Sequence, residues 1–85
     1  MRDNNERLRE LGEALFGPRW QTDVSRALGV TDRTVRDWVS GKTEVRDRIL
    51  VELLAHARER ERELGEIIDR IEDEIGGHRA PAPGM

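Results

Sequence analysis

The chain of 85 residues has no cysteine and no tyrosine, one phenylalanine and only three prolines. Without cysteine there are no disulfides, thiolate metal sites or cysteine nucleophiles, a composition that suits a reducing cytoplasm. No apolar run approaches the roughly 18–20 residues that a membrane span requires, and the polar N-terminal stretch does not read as a signal peptide. Alternating β-branched runs are scarce, so helix is the only periodicity on offer. Histidine is limited to His56, within a helical pattern, and His78, near the end of the chain. Neither lies at a metal-ligand spacing or beside a nucleophile. The expectation is therefore no catalytic residue, no metal and no cofactor, and Glu72-Asp73-Glu74 reads as a solvated helix face. A chain of this length has room for one domain with a modest core.

Charge makes up 39% of the residues, and the formal net charge is −3. Its distribution is uneven. From Gly17 to Arg48 there are seven cations against five anions, a net of +2, and from Ile49 onward five cations against nine anions, a net of −4. The acid is concentrated in the C-terminal third.

Four helical patterns follow one another. The first runs from Asn5 to Phe16, with Leu8, Leu11, Leu15 and Phe16 as its core stripe. Asp3 and Glu6 form a capping pair at its start, and Gly17-Pro18 ends it. The second runs from Gln21 to Leu28 and buries Val24, Ala27 and Leu28. Gly29 supplies a left-handed turn, and Thr31 caps a third helix with Asp32 in its first turn. Val35, Trp38 and Val39 are the expected buried face of this helix, and Ser40-Gly41-Lys42-Thr43 ends it. A long pattern from Val45 to Ile75 follows, with Thr43 or Glu44 at its start. Leu50, Leu54, Ala57, Glu61, Leu64, Ile68, Ile71 and Ile75 recur there at 4-3-4-3-4-3-4 spacing, the seam of a coiled coil. Ile49 and Leu53 lie beside the seam and are expected to pack on the preceding helices. A helix of ~30 residues spans about 45 Å, more than so small a core covers, so its far half calls for a partner. Leu64, Ile68, Ile71 and Ile75 are the candidate dimerisation residues. The competing reading breaks the helix at Gly65 and folds its end back on the same chain. The tail, 76–85, is rich in Gly and Pro and reads as disordered.

Gln21-Thr22 at a helix start, the small Ser25, Leu28-Gly29-Val30 at a turn, Thr34-Val35, and Trp38-Val39-Ser40-Gly41 together resemble the phage Cro/repressor (XRE-type) helix-turn-helix. The resemblance covers roughly residues 8 to 54, and its specific part is 21–41. Where that family commonly has a small hydroxyl cap, this chain has Trp20, which is expected to lie over the helix start against Phe16. The resemblance implies an all-α, lambda-repressor-like helix-turn-helix bundle, with 1–48 as the DNA-binding core and the long helix, 45–75, used for dimerisation. It also implies that Asp32, Arg33, Arg36 and Asp37 read bases. Arginine can donate two hydrogen bonds to guanine O6 and N7, while a carboxylate can only accept. The i, i+4 spacings Asp32–Arg36 and Arg33–Asp37 suit pairs that hold each guanidinium in one rotamer. Gln21, Thr22, Thr34, Ser40, Lys42, Arg19 and Arg46 are the candidate phosphate contacts.

The function expected is that of a small cytoplasmic repressor, a homodimer on a palindromic double-stranded DNA operator. A close relative of that reading is an antitoxin-type autoregulator whose acidic C-terminal helix also binds a protein partner. The reading from a different class is an assembly module, a ring-forming, small-terminase-like DNA-packaging subunit. A third is a protein-interaction domain that does not bind DNA.

Overall fold

The computed structural model describes residues 2–76. Four α-helices account for most of them: α1 (Asn4–Phe16), α2 (Trp20–Leu28), α3 (Asp32–Ser40) and α4 (Asp47–Ile75), with a 3₁₀ turn at Gly17–Arg19. The protein is all-α, and no strand occurs among the described residues. No helix among them is long and apolar enough to cross a membrane.

Local chemistry sets most of the helix ends. The Asp3 side chain accepts from the Glu6 N–H at 2.9 Å, while the Asp3 N–H donates to the Glu6 side chain, so the capping box at α1 is complete. Gly29 adopts φ 69° and ψ 31° after α2, and Thr31 Oγ1 accepts from the Thr34 N–H at the start of α3. α2 begins at Trp20, one residue earlier than its sequence pattern implies, and no side chain caps it.

The core is one cluster of Leu8, Trp20, Val24, Leu28, Val35, Trp38, Val45 and Leu53, with Leu11, Leu15, Phe16, Val30, Ile49 and Leu50 packed around it. Ile49 and Leu53 thus join the head of the molecule as their place beside the seam predicts. α3 packs on α2 and α1 but not on α4.

Three expectations need correction. Val45 does not begin the long helix. It is buried in the connection before α4, which starts at Asp47 behind an extended Arg46. Val39 is 43% exposed and not part of the core. At about 100° per residue it lies roughly 70° from the midpoint of Val35 and Trp38, at the border of the buried arc. Trp20 is buried, and its ring lies against Gly12 of α1, where an added Cβ would come within 2.5 Å of Trp20 Cε3. A glycine that looks like a weak point in the helix is the cleft that admits an indole. Of the two readings of the long helix the unbroken one is met: α4 runs through Gly65, and its end does not fold back on the chain. Leu64, Ile68, Ile71 and Ile75 are between 47% and 53% exposed along it. The expectation for the tail, 76–85, lies outside the described residues except for Gly76.

Candidate nucleic-acid interface

The connection between α3 and α4 is held by two adjacent asparagines in the first turn of α1. Asn5 Nδ2 donates to the carbonyls of Trp38 and Thr43, each at 2.8 Å, and its Oδ1 accepts from the Val45 N–H at 2.9 Å. Asn4 Nδ2 donates to the Val45 carbonyl at 3.1 Å and to Asp47 Oδ1 at 2.6 Å. These bonds join residues 33 to 43 positions apart, and they fix the end of α3 relative to α1. Gly41 completes that end in the left-handed region, with the Asp37 carbonyl accepting from the Lys42 N–H at 2.9 Å.

With its far end held and Val35 and Trp38 buried, α3 has a defined outer face. At about 100° per residue, Arg33, Arg36, Asp37 and Ser40 fall on the side away from the core. Arg33, Arg36 and Ser40 are exposed there, and Asp37 is half-buried. The two arginines stand one turn apart on a helix whose axis is fixed by packing on α1 and α2. Such an arrangement can present two guanidinium forks to a flat partner.

The acidic residues do not do what their spacing predicts. No ion pair joins Asp32 to Arg36 or Arg33 to Asp37 among the described residues. Asp32 instead turns toward α2, where its Oδ1 lies 2.7 Å from the Ser25 hydroxyl. The same hydroxyl lies 2.7 Å from the Thr22 carbonyl, so its single proton is shared between the two acceptors. Ser25 is buried, and this bond ties the first residue of α3 to the middle of α2. A serine where alanine would pack equally well is the signal in the sequence for this tie. Asp32 is thereby drawn away from Arg33 and Arg36.

The remaining candidates are spread along one run of the surface chain. Gln21 and Thr22 occupy the first turn of α2, whose N–H groups receive no side-chain cap, and Thr22 is exposed while Gln21 is half-buried. Thr34 is half-buried, and its hydroxyl pairs with that of Thr31 at 2.9 Å. Lys42, Arg19 and Arg46 are exposed, the last two as the residues that precede α2 and α4. Ser40 Oγ donates to the Asp37 carbonyl at 3.2 Å and accepts from the Lys42 N–H at 3.4 Å.

No protein-family model, no curated protein and no solved structure matches this chain.

Proposed function

We propose that the chain is a sequence-specific double-stranded DNA-binding regulator, with α2 and α3 acting as a helix-turn-helix of the Cro/repressor type. Arg33 and Arg36 are the base-reading residues in this reading. The observation that carries it is the outer face of α3: two exposed arginines one turn apart on a short helix, held at both ends by the Ser25–Asp32 and Asn5–Trp38 bonds. Asp32 serves here to fix the angle between the helices and not to read a base, and Asp37 flanks the arginines. Gln21 and Thr22, at an uncapped helix start, meet a phosphate through backbone N–H groups and the helix dipole. Thr34, Ser40, Lys42, Arg19 and Arg46 complete the backbone contacts. The chains pair through the exposed stripe of α4, and repression follows from occupancy of a promoter.

The test is selection of sites from a random duplex pool by the purified chain at ~0.15 M salt. A guanine-containing, two-fold-symmetric site is expected. Arg33→Ala or Arg36→Ala should each weaken that site by about 1–3 kcal/mol while changing non-specific binding little. A pool that enriches no sequence would overturn the reading.

A further inference from the structure

The exposed stripe of α4 specifies how two copies lie against each other. With the observed seam, Leu54, Glu61, Ile68 and Ile75 take the a positions of a heptad, and Leu50, Ala57, Leu64 and Ile71 the d positions. The flanking positions then carry charge of segregated sign. Arg58 and Arg60 flank the near half of the seam, Glu72 and Glu74 flank the far half, and Gly65 and Ile67 stand between them. Two further observations bear on this set. Arg62 is hydrogen bonded to Glu59 and to Glu66 along the side of α4 turned away from the seam. By contrast, Arg58, Arg60 and Glu74 have no ion-pair partner among the described residues.

A parallel pair makes poor use of this pattern. It would set Glu61 against the Glu61 of the second copy inside the seam, where the local dielectric is low and like charges repel. It would also set Arg60 opposite glycine and Glu72 opposite Ile67. Its remaining flanking contact among the described residues would need Leu53, which is fully buried in the head.

We infer that a second copy of this chain docks antiparallel on α4, with the two-fold axis at residue 66. In that register Leu64 packs on Ile68 of the other copy, Glu61 lies beside Ile71, and Ala57 meets Ile75. Arg58 faces Glu72 and Arg60 faces Glu74, each pair occurring twice by symmetry. Gly65 faces Gly65 and Ile67 faces Ile67 at the axis, so the helices approach closely on one side and bury an isoleucine pair on the other. The two Glu61 carboxylates are then about 15 Å apart along the coil. A shift by one heptad in either direction loses both charge pairings. The end of each helix is directed toward the partner's groove lined by Leu11, Ala14, Leu50 and Leu54. The two heads stand at opposite ends of the coil, with their Leu53 levels about 39 Å apart. This inference rests on the pairing of chains put forward above and not on DNA recognition.

The absence of native cysteine makes disulfide trapping clean. Under mild oxidation Ile71→Cys alone and Glu61→Cys alone should give no crosslinked dimer, because each would be ~15 Å from its own copy and a disulfide needs Cα atoms within about 7 Å. An equimolar mixture of the two, with one chain tagged, should give the mixed disulfide. Arg58→Glu with Arg60→Glu should weaken dimerisation about tenfold by sedimentation, and adding Glu72→Arg with Glu74→Arg should restore it. A dimer in which Ile71→Cys crosslinks to itself overturns the antiparallel register but leaves pairing intact. A monomeric mass at ~100 µM, well above ordinary dimer constants, overturns the pairing as well. Neither result touches the DNA-binding reading, which the site selection tests separately.

Discussion

Asn5 offers a test in which two accounts of the same residue predict opposite signs. On the surface of a helix start, Asn5→Ala should be neutral or slightly stabilising, because alanine is the better helix former. Asn5→Asp should also stabilise there, by about 0.3–1 kcal/mol near the positive end of the dipole. In the structure Asn5 makes three hydrogen bonds, to Trp38, Thr43 and Val45. At about 1 kcal/mol each these sum to about 3 kcal/mol. The Thr43 carbonyl is at an exposed residue and can rehydrate, and alanine regains some helix propensity, so the net cost of Asn5→Ala is about 2 kcal/mol. That corresponds to a fall in Tm of about 8–16 °C for a domain of this size. Asn5→Asp keeps an acceptor for the Val45 N–H but directs an anion at two carbonyl oxygens with no proton to offer. It should cost at least as much as alanine at neutral pH. Its folded-state pKa is then raised above the ordinary ~3.9, so the deficit shrinks as pH falls through the raised value and is smallest below the ordinary one. Urea unfolding of the three proteins at pH 7 and pH 4 reads all of this. An Asn5→Ala variant within about 0.5 kcal/mol of the parent, or a more stable Asn5→Asp at pH 7, would refute the clamp.

Gly12→Ala places a methyl group 2.5 Å from the Trp20 ring. It should destabilise by about 1–3 kcal/mol despite alanine's better propensity, with a change in tryptophan fluorescence; a stabilised variant would show that the ring moves freely. Ser25→Ala removes the tie between α2 and Asp32 and should cost about 1 kcal/mol in denaturant unfolding. It should also lower specific DNA affinity more than non-specific affinity, and equal losses would deny the bond any role in setting the helix angle. The Arg62 hydrogen bond, and after it the Arg62 charge, hold the Glu59 carboxyl below its ordinary range. Stability from that pair is present above the ordinary carboxylate pKa and lost as pH falls through the lowered one. Glu59→Gln should therefore lower Tm at pH 7 and leave it unchanged in strong acid, and an equal effect at both would contradict the pairing.

What could be read from the residues was what depends on near neighbours. The stripes of α1 and α4, the Asp3–Glu6 box, Gly29 and Thr31 all follow from spacings of three or four, and the helix limits they imply are met to within two residues. Val45 departs from its pattern for the same reason. A valine ahead of a helical pattern fits its periodicity, and only contacts with Asn4 and Asn5, some forty positions earlier, hold it in extended backbone. Gly12 is a helix weakness by propensity and a packing site only once Trp20 lies over it. At the candidate interface, the exposure of Arg33 and Arg36 was legible from the positions of Val35 and Trp38. The partner of Asp32 was not, because an i, i+4 rule finds Arg36 on the same helix and cannot see Ser25 across the turn.

The net charge of −3 illustrates why a total says little about a surface of this shape. The molecule measures 54 × 28 × 22 Å, and Leu53 is the last residue of α4 buried in the head. From Glu66 onward the acidic residues are about 20 Å or more beyond Leu53 along the helix, over two Debye lengths at physiological salt. α3 packs on α1 and α2, away from α4, so the field at Arg33 and Arg36 is set by the head, in which ten cations balance ten anions through Leu53. The acid has its own use where it lies. Antiparallel pairing brings Glu72 and Glu74 back over Arg58 and Arg60, so that each negative end is neutralised by the other copy's near half. Pairing leaves two heads on one particle, and the dimer, with both meeting phosphates, should bind a polyanion with a steeper salt dependence than an equal concentration of monomer.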